Sequence, residues 1–554
     1  MKKINLSIAQ DIKEIKFIQK KIKKKITWLP LNLETLLYLD LNKYDYINLS
    51  KYFNNNLHRE GLIFSSKLTN KLDKKPLNDS SLHNRYKGII RKYFNSIFFI
   101  IEAIIKIKKK YKINTIFVSG WNTYNPKSIN ENYIVSKIVY ELFSKKINIK
   151  IISKIKNNFN KSIYEYSIKF RRDNKKKIFI PDLGYNVNRI IYSKIFNKKI
   201  NIYTLETKNK INFKNYFLKI FGIKFLQFHK FIKKKQHYLK FENITFKYKS
   251  FDLTSLINFR TQQINSFLQD LKEKNLAIKK LFINFRPNLI IFYNLRGVNY
   301  CISELTKKYK LNSIILSHGT LTKGRNKFEK MYQKIIADEL INKFVKFVGI
   351  QTKIFLSSLS TIKAKNKKFS LGNILLTQSK NKKKMFFLYA VTQRDFVNMQ
   401  FYGIETFYEF FENLKLFNKL AKDENIKFLI KLHPNIQNLK KILQVKFKNL
   451  MFSNKSLDRL FEKTSATISF SSTSIEDSLC SNIPVILFDR WNRYNHDFKK
   501  GNHKEKSKPI TYINKVSLLK ENLRNYPFEK KLNFNQYIYN SHYKQNINKL
   551  FQLI

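Results

Sequence analysis

The 554-residue chain predicts an α/β protein with two sheet-bearing domains, and three observations carry that reading. Its length exceeds what one hydrophobic core organises, so two or three domains are expected. Short apolar runs bounded by breakers alternate with helical patterns, the rhythm of parallel strands and crossover helices. Polar, small-residue clusters follow several of those runs, and ligands of open parallel sheets gather at the carboxyl ends of strands.

Hydrophobic residues make up 43% of the chain, enough for globular cores and too many for wholesale disorder. The 108 Lys and Arg against 38 Asp and Glu leave a net charge of +70, which favours anionic partners such as phospholipid, nucleotide or acidic glycan. Heavy joint use of Lys, Asn and Ile is what an A/T-biased genome writes, so part of that charge carries no function. Cys301 and Cys480 are the two cysteines, too few for a disulfide framework or a cysteine metal site, and a reducing cytoplasm fits. Lys2 and Lys3 lead into a segment with Gln10, Asp11 and Glu14 in place of a signal-peptide core. The apolar run 97–105 contains Glu102 and falls short of the roughly 20 residues a membrane span needs, so it reads as a buried helix.

Taken in order, residues 12–25 form a Lys-rich helical pattern. Thr27-Trp28-Leu29-Pro30 leads into residues 34–39, and Tyr46-Ile47-Asn48 reads as a short strand. A long helical pattern covers about 80–110, then the strand Thr115-Ile116-Phe117-Val118 ends in Ser119-Gly120-Trp121. A helix over 130–144, a strand over 147–152 and another over 175–180, capped by Pro181-Asp182-Leu183-Gly184, continue the rhythm. From 201 to about 281 the text is aromatic, basic and weakly periodic, and a helical, basic insertion over about 200–285 is expected there. The strand 288–293, the helix 300–309 and the strand 313–316 follow, the last ending in Ser317-His318-Gly319-Thr320.

Residues 379–384 are a polar, Lys-rich run between two sheets and mark a domain boundary. Residues 385–390 open the second sheet, with Gln393, Arg394 and Asp395 after them and a helix over 405–422. Ile426-Lys427-Phe428-Leu429-Ile430 then runs into Lys431-Leu432-His433-Pro434, and residues 465–470 into Ser471-Ser472-Thr473-Ser474. These two tips make a physical case for a phosphate site. A helix start offers unpaired N–H groups and the positive end of the dipole, and hydroxyls add donors. His433 can donate to a phosphate oxygen, with Pro434 fixing its turn. Singly, each has an ordinary reading, since Ser and Thr before a helix are common N-caps.

The runs KLHPN and SFSSTSIEDSLCSNIPVILFD resemble the donor-binding half of GT-B glycosyltransferases of bacterial surface-polysaccharide synthesis, including capsule and sialic-acid-type transferases and CDP-glycerol glycerophosphotransferases. That resemblance implies two Rossmann-like domains facing across a cleft, with the nucleotide phosphate held by the His-Pro and the Ser/Thr cluster. It also implies that Asp477, seven positions before Pro484, touches the donor's ribose or sugar, although Asn482 stands where Gly is usual. His318 matches a His-Gly-Thr that faces the cleft in glycerophosphotransferase-like enzymes.

The resulting expectation is an acceptor-side domain over 1–378, a nucleotide-donor domain over 379–530 and a helical tail over 531–554. Donor contacts fall to Arg394, Lys431, His433, Pro434, Ser471, Ser472, Thr473, Ser474 and Asp477. His318 is the candidate base, with Asp182 and Asp395 as further catalytic candidates. No cofactor beyond a nucleotide-activated sugar is expected. Nor is a metal, because the chain has no Asp-x-Asp pair of the GT-A kind and no His cluster of ligand spacing. The expected partners are that donor, a glycan or lipid-linked acceptor and an anionic membrane surface, at the inner face of the cytoplasmic membrane. A nucleotide-sugar epimerase of the same fold is the nearest alternative. A nucleic-acid binder rests on charge alone.

Overall fold

The computed structural model describes residues 1–554 except 73–76, 120–133, 153–163, 172, 184–199, 207–212, 221, 233–238, 240, 242–244, 317–329, 332–340, 361–365, 375–383, 392, 397–404, 471, 493–508, 527–531 and 540–541. Its described part holds three open sheets and a small hairpin. The first sheet joins β1 (Lys2–Ala9), β2 (Thr27–Pro30), β3 (Tyr111–Val118) and β4 (Asn148–Ile151) in the order β2-β1-β3-β4, all parallel. The long helix Ser80–Lys108 covers it, started by Asp79, whose carboxylate accepts from the N–H groups of Ser81 and Leu82. The run 97–105 lies inside this helix and is buried almost throughout, as expected.

The second sheet has eight strands: β5 (Tyr164–Ile168), β6 (Lys176–Phe179), β7 (Ile200–Glu206), β8 (Lys224–Ile232), then, after the hairpin β9 (Lys247–Tyr248) and β10 (Phe251–Asp252), β11 (Leu289–Phe292), β12 (Asn312–Leu316), β13 (Phe347–Ile350) and β14 (Lys367–Ser370). Their order is β14-β13-β12-β11-β6-β7-β8-β5, parallel but for β5 at the edge. The order of winding reverses between β6 and β11, as in doubly wound sheets. The expected helical insertion is corrected here. Residues 200–206 and 224–232 are strands of this sheet, and the 31-residue helix Thr254–Asn284 returns the chain to β11. β8, KFLQFHKFI, is largely exposed, so Lys and aromatic residues on its solvent side blur the alternation.

The third sheet comprises β15 (Phe386–Ala390), β16 (Phe428–Lys431), β17 (Met451–Ser453), β18 (Thr464–Ser469), β19 (Val485–Phe488) and β20 (Ile510–Ile513), in the order β17-β16-β15-β18-β19-β20, all parallel. Numbered from its first strand this is 3-2-1-4-5-6, the order of dinucleotide-binding Rossmann sheets. β18 is buried at every residue, as a strand covered on both faces must be. Thr406 and Glu409 form a reciprocal capping box that starts the helix Phe407–Glu424, which packs on this sheet. The α/β class with two Rossmann-like units is thus present, and the four-stranded sheet is a third unit that the sequence reading had merged into residues 1–378.

All three units touch. Phe396 N–H donates to Leu31 O at 2.9 Å and Asn48 Nδ2 to Glu412 Oε1 at 3.0 Å, joining the first unit to the third. Thr352 Oγ1, just past β13, donates to Glu476 Oε2 at 2.9 Å, joining the second to the third. In the tail the helix Tyr543–Phe551 packs Ile547 and Leu550 against the eight-stranded sheet, where Asn546 Nδ2 donates to Asn373 O at 2.7 Å.

Candidate functional site

The winding of the six-stranded sheet reverses between β15 and β18. At such a point the crossover helices leave to opposite faces, and a crevice opens beyond the strand ends. Arg394 and Asp395 follow β15, Ser472 and Thr473 follow β18, and Lys431 with His433 ends β16 on the other side of β15. The structure therefore brings the polar tips read from the sequence to one edge of one sheet.

His433 caps the short turn Pro434–Leu439, and its Nδ1 accepts the N–H of Asn435 at 3.3 Å. An imidazole accepting at Nδ1 carries its proton on Nε2, the atom able to donate to a ligand. Pro434 is exposed at the first position of that turn, where its missing N–H costs nothing. Lys431 is half-buried and donates to Leu432 O at 2.8 Å, and burial pushes its pKa down.

Ser474 is different from what the sequence suggested. Its hydroxyl is buried and donates to Ala390 O at 2.8 Å, as does Ser469 Oγ, so the pair pins the helix Ser474–Cys480 to the end of β15. Ser472 Oγ accepts the Ser474 N–H at 3.3 Å, an ordinary cap at the start of that helix. Thr473 is half-buried beside it, and Ser471 lies outside the described residues. Asp477 sits within the same helix, and burial, with Glu476 and Asp458 nearby, pushes its carboxyl up to about 8. At neutral pH it holds a proton and can donate as well as accept. Asn482, two residues past this helix, takes φ +57°, which explains why a glycine suits that position and why Asn can replace it.

Arg394 N–H donates to Glu405 O at 2.9 Å, and Glu405 anchors Tyr389 OH at 2.6 Å and Asn413 Nδ2 at 2.8 Å. That buried network fixes the backbone carrying Arg394. Asp395 is raised to about 6 by burial, against the lowering effect of Arg394, with Glu34 across the boundary adding to the rise. The tip of β15 thus faces the four-stranded sheet. There the sequence reading missed Glu14, which is 6% exposed and accepts from Gln10 N–H at 3.0 Å, Gln10 Nε2 at 3.2 Å and Ser119 Oγ. Burial pushes its carboxyl up to about 7. The signal available was Gln10-Asp11 directly after an alternating run, a strand end followed by a helix cap.

Asp182 follows β6 and accepts from Tyr293 OH, which follows β11, at 2.8 Å. The pair marks the reversal of the eight-stranded sheet, and the carboxylate and burial together raise the Tyr293 phenol. Among the described residues no bond joins Asp182 to Asp395, which belongs to another sheet. His318 lies outside the described residues. β12, which ends two residues before it, is separated from β6 by β11 alone. Among the described residues no group of three His, Cys, Asp or Glu is placed to hold a metal ion, and no helix is long and apolar enough to cross a membrane.

No protein-family model and no curated protein matches the chain. Solved structures resemble it distantly. The UDP-GlcNAc 2-epimerase from Methanocaldococcus jannaschii, in complex with UDP-GlcNAc and UDP, is 13% identical with a TM-score of 0.41 over 69% of this chain and 99% of that one. The UDP-GlcNAc 2-epimerase from Neisseria meningitidis is 11% identical, TM-score 0.39, over 68% and 100%. TarM is 12% identical, TM-score 0.37, over 69% and 99%. Likeness at this level says nothing about what this chain binds or catalyses.

Proposed function

We propose that the chain is a GT-B-type glycosyltransferase, or a glycerophosphotransferase-like enzyme, that moves a sugar or polyol from a nucleotide-activated donor to a surface glycan or lipid-linked acceptor. One observation carries the reading. The sheet whose strand order is 3-2-1-4-5-6 carries, around its reversal, the His433 and Ser472–Thr473 tips that resemble a donor phosphate site. In the transfer, the acceptor hydroxyl forms a bond to the anomeric carbon as the bond to the donor phosphate breaks. The acceptor proton passes to a base, for which His318 is the candidate. Negative charge grows on the leaving phosphate, and cations and donors already in place lower that barrier. Arg394, Lys431 and His433 Nε2 are the groups proposed for it.

His433→Ala is expected to weaken nucleotide binding by about 1.5–3 kcal/mol, the worth of a hydrogen bond to a charged oxygen. Titration calorimetry with CMP-, CDP-, UDP- and GDP-linked donors measures it, and unchanged affinity in a folded variant removes His433 from the site. The net charge of +70 also supports peripheral binding to anionic membranes. Each Lys or Arg near such a surface contributes about 1 kcal/mol, screened over roughly 8 Å at physiological salt. Co-flotation with phosphatidylserine vesicles should fall steeply as salt rises, and flotation indifferent to salt contradicts the idea.

A nucleotide-sugar epimerase is the second reading, favoured by Glu14 and Asp395, two proton-holding carboxyls that reach one boundary from different sheets. Such an enzyme converts its nucleotide-sugar with no acceptor present, which separates the two readings in a single incubation.

A further inference from the structure

The four-stranded sheet reverses its winding between β1 and β3, so it has a crevice of its own at their carboxyl ends. Gln10 closes β1 and is fully buried. Its Nε2 donates to Glu14 Oε1 at 3.2 Å and to Ser136 Oγ at 2.9 Å, while its Oε1 has no partner. The carboxylate fixes which way this amide points, because an ionised carboxylate only accepts. On the facing wall, Gln393 is 8% exposed, and its Oε1 also lacks a partner. Two orphaned amide oxygens from different sheets are thus held where those sheets meet, and a buried acceptor without a donor is a standing free-energy cost.

We propose that this crevice binds a hydroxyl-rich sugar ring, with Gln10 and Gln393 accepting hydrogen bonds from its hydroxyls. The proposal rests on the transferase reading only for the role of that sugar as acceptor. The walls form one continuous site: Glu14, Asp11, Glu34 and Asp395 each lie close enough to the next to alter its proton affinity, and the first three belong to the four-stranded unit. A carboxyl that holds its proton can donate as well as accept, matching a hydroxyl that does both. A cationic ligand fits less well, since the chain as a whole carries +70. A metal ion lacks a ligand set among the described residues. Phe396 N–H on Leu31 O holds the two walls together, so the crevice needs both units.

Saturation-transfer NMR on the full chain with methyl glucoside, methyl galactoside, methyl N-acetylglucosaminide and glycerol, each at millimolar concentration, tests it. At least one methyl glycoside should receive saturation, and should keep it when a bound nucleotide donor is present. Gln10→Leu and Gln393→Leu should each weaken that binding about tenfold, the worth of one hydrogen bond to a buried acceptor. The second variant guards against the first failing to fold, since Gln393 lies outside the Gln10–Glu14–Ser136 network. Failure of every glycoside to bind the folded wild-type chain overturns the proposal and leaves water as the partner of both amides. So does binding that survives both substitutions, or that nucleotide displaces. Nucleotide affinity, measured apart, keeps the readings separable: glycoside binding without nucleotide binding sinks the donor site alone, and the reverse sinks this crevice alone.

Discussion

Trp28→Ala should cost the chain about 3–5 kcal/mol of stability, as truncation of a fully enclosed aromatic does. Trp28 is 1% exposed and packs with Ala9, Ile15, Ile18, Leu39 and Phe117, so it fills the space between β1, β2, β3 and their first two helices. Its backbone is committed too: its N–H donates to Asp45 O and its carbonyl accepts from Ile47 N–H, both at 2.8 Å. Nothing nearby can collapse into the gap without moving a strand, and close-packed interiors resist that. Denaturant unfolding read through amide exchange in β1 and β3 measures the loss where it arises, which matters because a chain of several units need not unfold in one step. A loss under about 1 kcal/mol contradicts the packing described, since that is what a tolerated core exchange costs.

His318→Ala should lower the single-turnover rate by roughly 10²–10⁴-fold while leaving donor affinity nearly intact. The separation follows from the two sheets. The donor groups proposed, His433 and Ser472–Thr473, end strands of the six-stranded sheet, whereas His318 follows β12 of the eight-stranded one. If one wall holds the donor and the other activates the acceptor, affinity and rate must respond to different substitutions. Ser472→Ala with Thr473→Ala should do the opposite, weakening the donor and sparing the saturated rate. Should His318→Ala lose donor affinity and keep its rate at saturation, the base lies elsewhere. Asp182, bonded to Tyr293 at the reversal of the same sheet, is then next, followed by Asp395.

Much of this was legible in the sequence where strands are buried on both faces. The runs at 289–292, 312–316, 386–390, 428–431, 464–469 and 485–488 are continuous apolar stretches with polar tips, and each is a parallel strand. The reversal between β15 and β18 could not be read that way, because strand order depends on the crossovers and not on any local pattern. Half-exposed strands were harder. β8 buries few of its nine residues, and β14 and β17 are edge strands of three or four, too short for a period to show. β1 was missed for another reason: Ile4, Leu6 and Ile8 alternate, but Lys2 and Lys3 drew attention to what the segment was not. Overlooking β1 concealed the whole four-stranded unit, and with it Gln10 and Glu14. At the site, Ser474 shows the limit of reading by residue type. A serine at a helix start can serve a phosphate or its own backbone, and only the position of Ala390 O decides.

Amide hydrogen exchange with and without the nucleotide donor that binds tests the central claim most directly, because it reports where the ligand sits without assuming a reaction. Ligand held at the tips of β16 and β18 should slow exchange at residues 431–435 and 472–476, with smaller changes elsewhere. Protection confined to residues 180–183 and 293–298, at the reversal of the eight-stranded sheet, with the first two segments unchanged, would contradict the assignment of the donor to the six-stranded sheet.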